Sequence, residues 1–108
     1  MRYAPDGSVW RASHTPDGPG TLRLRAHAGE VDAQAWGSGG AWLIEQFPDL
    51  LGAADDPDAL ITDDPVVQRL QRQAHGMRLG RTDRVWEALV PAVLEQKVVG
   101  TEAWRAWR

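Results

Sequence analysis

The sequence contains no cysteine, so neither a disulfide framework nor a thiolate metal site belongs to its design. No apolar run approaches the roughly 20 residues needed to cross a bilayer. The opening Met1-Arg2-Tyr3-Ala4-Pro5-Asp6-Gly7 lacks the apolar stretch of a secretory signal, and a cytoplasmic protein is the plain expectation. Phenylalanine and tyrosine occur once each, and the three histidines are scattered over strand and helix ends. None of these histidines has an acid and a nucleophile spaced to suggest a catalytic triad. What is present argues against disorder: 43% hydrophobic residues and six tryptophans in 108 positions. A chain of this length suits one small domain, burying roughly 65% of its unfolded surface.

The net charge of −3 hides an asymmetry. Residues 1–64 hold four arginines against eleven acids, a net of −7, whereas residues 65–108 hold eight basic residues against four acids, a net of +4. An anionic partner would therefore meet the second half of the chain, although a solvated helix surface explains the same charges.

Three short strands are expected first. Ser8–Ser13 reads as a strand and is followed by the turn residues Thr15-Pro16-Asp17-Gly18-Pro19-Gly20. Thr21–Ala26 alternates, with Leu22, Leu24 and Ala26 on one face and Arg23 and Arg25 on the other. After a turn at Gly29, Val31, Ala33 and Ala35 alternate with Asp32, Gln34 and Trp36. Short connections make this an antiparallel meander with one packed face. Ser38 is a candidate cap for a helix over Ala41–Phe47 that Pro48 ends. Trp42, Leu43, Phe47, Leu50 and Leu51 are expected to cover the sheet.

Asp49, Asp55, Asp56, Asp58, Asp63 and Asp64 then follow with no basic residue among them. The prolines at 57 and 65 break the tight alternating ligand spacing of a calcium loop, so an exposed acidic loop is the better reading. Asp64-Pro65 is a strong helix start, with an N-cap acid followed by proline at the first helical position. Val66, Val67, Leu70 and Ala74 supply that helix with an apolar stripe, and Gly76 ends it.

The most informative stretch runs from Arg81 to Gly100. Its apolar residues recur in pairs about four apart: Val85/Trp86, Leu89/Val90, Val93/Leu94 and Val98/Val99. That period is helical. Asp83 is a candidate N-cap, Glu87 an acid suited to the helix dipole, and Gly100 a natural stop. Pro91 predicts a kink or an irregular start. Gln96 and Lys97 stand near the end of this otherwise core-facing helix. A last short helix, Glu102–Arg108, carries Trp104 and Trp107 on one face.

Glu87-Ala88-Leu89-Val90, followed by Ala92-Val93-Leu94-Glu95-Gln96-Lys97-Val98, resembles the first helix of the catalytic domain in helix-hairpin-helix DNA glycosylases, in the DNA-3-methyladenine glycosylase II branch. Gly76-Met77-Arg78-Leu79-Gly80-Arg81-Thr82 resembles that family's linker from an N-terminal β-sheet domain. The resemblance implies an α+β fold, an N-terminal antiparallel β-meander with packed helices, followed by the first helices of an all-α helix-hairpin-helix domain. It also implies boundaries of 1–64 for the sheet domain with its covering helix, 65–80 for a helix and linker, and 81–108 for the start of the glycosylase domain.

The implied chemistry is base excision, in which a damaged nucleotide is flipped from the duplex and its N-glycosidic bond cleaved. Double-stranded DNA with a damaged base is the implied partner, with no cofactor and no metal. Gln96 stands at the family's matching glutamine. Lys97 stands where close relatives place an apolar wedge; it suits a phosphate contact better than stacking. A polar helix end without a task accounts for the same two residues. The family's Leu-Pro-Gly-x-Gly hairpin and catalytic Asp have no counterpart here, since the only acid after Glu95 is Glu102. The expectation is therefore an N-terminal portion of a glycosylase, inactive alone. The competing expectation is a small α+β interaction module that docks through Trp104 and Trp107.

Overall fold

The computed structural model of the chain describes residues 1–96 and 99–106. It is a mixed α+β fold with a four-stranded antiparallel sheet in the order β1-β2-β3-β4, formed by Arg2–Tyr3, Val9–Thr15, Gly18–His27 and Glu30–Trp36. Among the described residues four helices follow: α1 (Gly40–Leu50), α2 (Pro65–Gln73), α3 (Val85–Glu95) and α4 (Gly100–Ala106). Two compact units emerge. Residues 1–45 and 82–108 form one, and residues 46–81 form the other.

In the first unit the three expected strands are present, and the short β1 is added beside β2. The turn between β2 and β3 is tighter than the run of turn residues suggested. Thr15 already pairs with Gly18, leaving only Pro16-Asp17 in the loop. The Thr15 hydroxyl fastens it, donating to the Gly18 carbonyl at 2.8 Å and accepting from the Asp17 N–H at 3.1 Å. Gly20 belongs to the strand for a packing reason. A Cβ there would lie 2.6 Å from Leu43 Cδ1 and 3.1 Å from the Gly39 carbonyl carbon, so glycine lets α1 enter directly over the sheet.

Register places Val9, Arg11 and Ser13 opposite Leu24, Leu22 and Gly20, and Leu22 and Leu24 opposite Ala35 and Ala33, all on one face. Leu22 (0% exposed) and Leu43 (1%) are the buried apolar side chains of that face. Leu51, expected to help cover it, is exposed. Ser38 does not cap α1; its hydroxyl donates instead to the Pro19 carbonyl, at 3.4 Å.

Pro48 does not end α1, which continues to Leu50. Proline removes one N–H but leaves its own carbonyl, and that carbonyl accepts from Ala53 N at 2.9 Å while Asp49 O accepts from Gly52 N at 2.9 Å. With Gly52 at φ +86°, this is a Schellman stop, so the glycine terminates the helix rather than the proline.

The second unit is held mainly by polar contacts. Asp64 caps α2 as expected, accepting from Val66 N at 2.7 Å and Val67 N at 3.1 Å. The apolar stripe of α2 is not buried. The Gln68 and Gln71 side-chain amides donate to the Thr62 and Leu60 carbonyls at 2.9 and 2.7 Å. Asp55 is not idle in the acidic loop: its carboxylate accepts from Leu79 N at 2.8 Å, and its carbonyl accepts from Arg78 Nη1 at 2.7 Å. Gln46, nearly buried, donates to the Arg81 carbonyl. The stretch 77–81 is thus irregular in conformation yet fastened along its length. No helix among the described residues is long and apolar enough to cross a membrane.

Candidate functional site

The site singled out in the sequence depends on how α3 is held. Its N-terminus is not capped by Asp83, which sits at φ +49°; Arg84 is the N-cap and makes no side-chain capping bond. Thr82 organises the turn instead, its hydroxyl accepting from Arg84 N at 3.2 Å. One turn into the helix, Glu87 reaches the packed face of the sheet. Its carboxylate accepts from Arg11 Nη2 at 2.8 Å, Ser13 Oγ at 2.9 Å and His14 N at 3.0 Å. Burial pushes this carboxyl up, but the Arg11 hydrogen bond, the His14 N–H, the Ser13 hydroxyl and the Arg11 charge outweigh it and hold it below the ordinary glutamate range.

This polar tether explains why the sequence could not place α3. The inward row of β2 runs Val9, Arg11, Ser13 and Thr15, three of them polar. An inward polar row needs polar partners; Thr15 bonds within its own turn, and Glu87 serves Arg11 and Ser13. Its position at the third residue of a helix also suits the dipole. The dipole was legible in the sequence; the tether, spanning more than seventy residues, was not.

The aliphatic ridge of α3 was expected to be core. It is not: α3 buries no residue, Trp86 is 74% exposed, and Val85, Leu89 and Val93 are exposed as well. Attachment through a charged side chain near its start leaves those apolar side chains facing solvent among the described residues. Helix geometry persists through Pro91 to Glu95. Gly100 begins α4 rather than ending α3, and Gln96 is the C-cap, its backbone N–H donating to the Val93 carbonyl at 3.3 Å. The Gln96 side chain is exposed, so both its amide donors and its acceptor can meet a ligand. Lys97, Trp107 and the side chain of Trp104 lie outside the described residues.

A second cluster, not anticipated from the sequence, occupies the opposite face of the sheet. The Trp10 and Trp36 rings stack with centroids 5.5 Å apart and planes inclined by 11°, and the Arg23 guanidinium lies 5.7 Å from the Trp10 ring centre. Arg23 also pairs with Asp6 at 3.0 Å and donates to Gln34 at 3.2 Å. The Ser8 hydroxyl and N–H hold the Asp6 carboxyl down at about 2, with Arg23 assisting. Period-two alternation put Trp36 and Arg23 on one face, but Trp10 joins them only through register. Within the cluster, Arg23 Nε is buried and has no hydrogen-bond partner among the described residues.

In the second unit a cleft of about 570 Å³ opens between the acidic loop and α2, with Leu60, Met77 and Leu79 on its apolar side and Asp56, Asp58, Arg72 and His75 among its polar lining. No group of three or more His, Cys, Asp or Glu among the described residues is placed to hold a metal ion. No family model matches this chain, and neither a curated protein nor a solved structure matches it.

Proposed function

We propose that this chain is the N-terminal portion of a helix-hairpin-helix DNA glycosylase of the 3-methyladenine type, which flips and excises alkylated purines. The observation that carries the proposal is α3 itself. An aliphatic helix, tethered to a β-sheet by Glu87, ends at an exposed Gln96 and keeps Trp86, Leu89 and Val93 in solvent. An apolar ridge of that kind suits a helix that other helices of the same domain cover. In this reading Gln96 is the DNA-facing residue, Lys97 adds a phosphate contact, and the catalytic Asp comes from residues beyond these. The chain alone then excises nothing, and the base-flipping cost is met only by the complete domain.

Sequencing past the codon for Arg108 tests this. A Leu-Pro-Gly-x-Gly hairpin and a following Asp, in the same or a shifted frame, are expected; their absence in every frame contradicts the assignment. Release of an alkylated purine by purified residues 1–108, free of host enzymes, overturns the claim of inactivity.

A further inference from the structure

We propose that the free edge of β4 pairs antiparallel with β4 of a second copy of this chain, joining two four-stranded sheets into one of eight strands. The inference does not depend on the glycosylase reading and concerns a surface remote in chemistry from Gln96.

Its basis is the state of the two sheet edges. β1 is two residues long, a blunt edge that offers little to a partner. At the other side, β4 pairs residue for residue with β3 over seven consecutive positions, Thr21↔Trp36 through His27↔Glu30, with no bulge. It contains no lysine, proline or glycine, three common devices that spoil an edge. Among the described residues no strand lies beyond it.

Hydrogen-bond direction can be worked out from the hairpin. Ala28 and Gly29, at φ 51° and 86°, form a two-residue loop, so His27 and Glu30 are its closing hydrogen-bonded pair. Alternation along an antiparallel ladder then turns the N–H and C=O groups of Val31, Ala33 and Ala35 away from β3, onto the open edge. A two-fold axis through Ala33 brings Ala33 opposite Ala33 of the second copy, and Val31 opposite Ala35, matching outward groups with outward groups. That register uses the whole strand.

Charge disfavours the registers shifted toward Glu30, and those shifted toward Trp36 pair fewer residues. With the axis at Ala33, Asp32 faces Gln34 and Glu30 faces Trp36, so no acid opposes an acid. Moving the axis to Asp32 sets Asp32 against its own copy, and moving it to Val31 sets Glu30 against Asp32. Like charges directly opposite one another destabilise a ladder. Val31, which is exposed in the single chain, gains an apolar cross-strand neighbour in the favoured register. Gly40 passes the Ala35 carbonyl without a side chain of its own, so no side chain of α1 obstructs that acceptor from Gly40.

The test is sedimentation equilibrium on the full chain across a wide concentration range, comparing wild type with Gln34→Glu and Gln34→Lys. Position 34 is exposed, and glutamate retains the acceptor that Arg23 uses; lysine loses that acceptor and faces Arg23 across the β3–β4 ladder, so the thermal unfolding midpoint of each variant is measured beside its association to separate folding from pairing. The wild type is expected to form a dimer. Gln34→Glu sets two acid–acid pairs across the edge and weakens association by about five- to tenfold, and Gln34→Lys, facing Asp32, strengthens it by a similar factor. The double variant Asp32→Lys/Gln34→Glu, with the charges exchanged, recovers association. A monomer at every concentration overturns the proposal. So does a dimer indifferent to these charges, because association would then run through another surface, such as the exposed ridge of α3.

Discussion

The sheet with its first helix takes Leu22 and Leu43 fully out of water, while residues 46–81 bury one polar side chain, Gln46, and a glycine, Gly52. Both regions have well-formed helices and tight turns. They differ in what holds them. In the first, apolar burial and a regular ladder act together. In the second, caps and carbonyl-directed side chains do most of the fastening, and Leu60, Ile61, Val66 and Leu70 stay exposed. A net hydrogen bond contributes only about 1 kcal/mol, and a buried leucine two to three times as much. Regular secondary structure is therefore no guide to local stability here, and the two regions should open on different free-energy scales.

The largest expected effect lies in the core. Leu22→Ala should cost about 2–5 kcal/mol, because the side chain is wholly buried. Urea unfolding followed by tryptophan fluorescence measures it; a loss under about 1 kcal/mol would dissolve the contrast between the regions.

Next comes the tether. Glu87→Ala strips the half-buried Arg11 guanidinium and the Ser13 hydroxyl of their shared partner and should cost about 1–3 kcal/mol. Its pH dependence carries a sign. The folded-state pKa is lowered, so the contribution is fully present above the ordinary carboxylate range and is lost as pH falls through the depressed value. The wild type and Glu87→Ala should differ at about pH 7 and converge as pH falls through the depressed value. A gap that stays constant down the acid range would mean that Glu87 acts by packing rather than charge.

Smaller effects distinguish the second region. Asp64→Ala removes the α2 cap and should cost about 1 kcal/mol, seen as faster amide exchange within α2 and little change in β2 or β3. Leu70→Ala, at a half-exposed position of the same helix, should change stability by less than about 0.5 kcal/mol. A cost comparable to that of Leu22→Ala would reveal a packed core around α2.

Much of the fold was legible. Alternation at Leu22 and Leu24 identified the packed face, and Asp64-Pro65 announced α2, because both signals are local and period-based. Pro48 misled, since a proline late in a helix loses one donor while a glycine four residues on, Gly52, supplies the stop. Gly100 misled in the opposite direction, opening a helix where a stop was expected. The aliphatic pairs of α3 predicted a helix correctly but its burial wrongly, because periodicity reports which side is apolar and not whether anything covers it. The anchoring of the candidate site was hidden for a related reason. Arg11, Ser13 and Glu87 each look unremarkable alone, and only tertiary proximity makes them one cluster.

The account rests on α3 being joined to β2 through the Glu87 carboxylate, since that junction sets where the helix begins and so where Gln96 is presented. Native-state hydrogen exchange at the His14 amide reads the junction directly, because its acceptor is a Glu87 oxygen at 3.0 Å. The His14 amide should be protected in the wild type and exchange much faster in Glu87→Ala, while Leu22 and Leu24 keep their protection. An equal His14 rate in the two proteins would show that α3 is held some other way, and the account would be wrong.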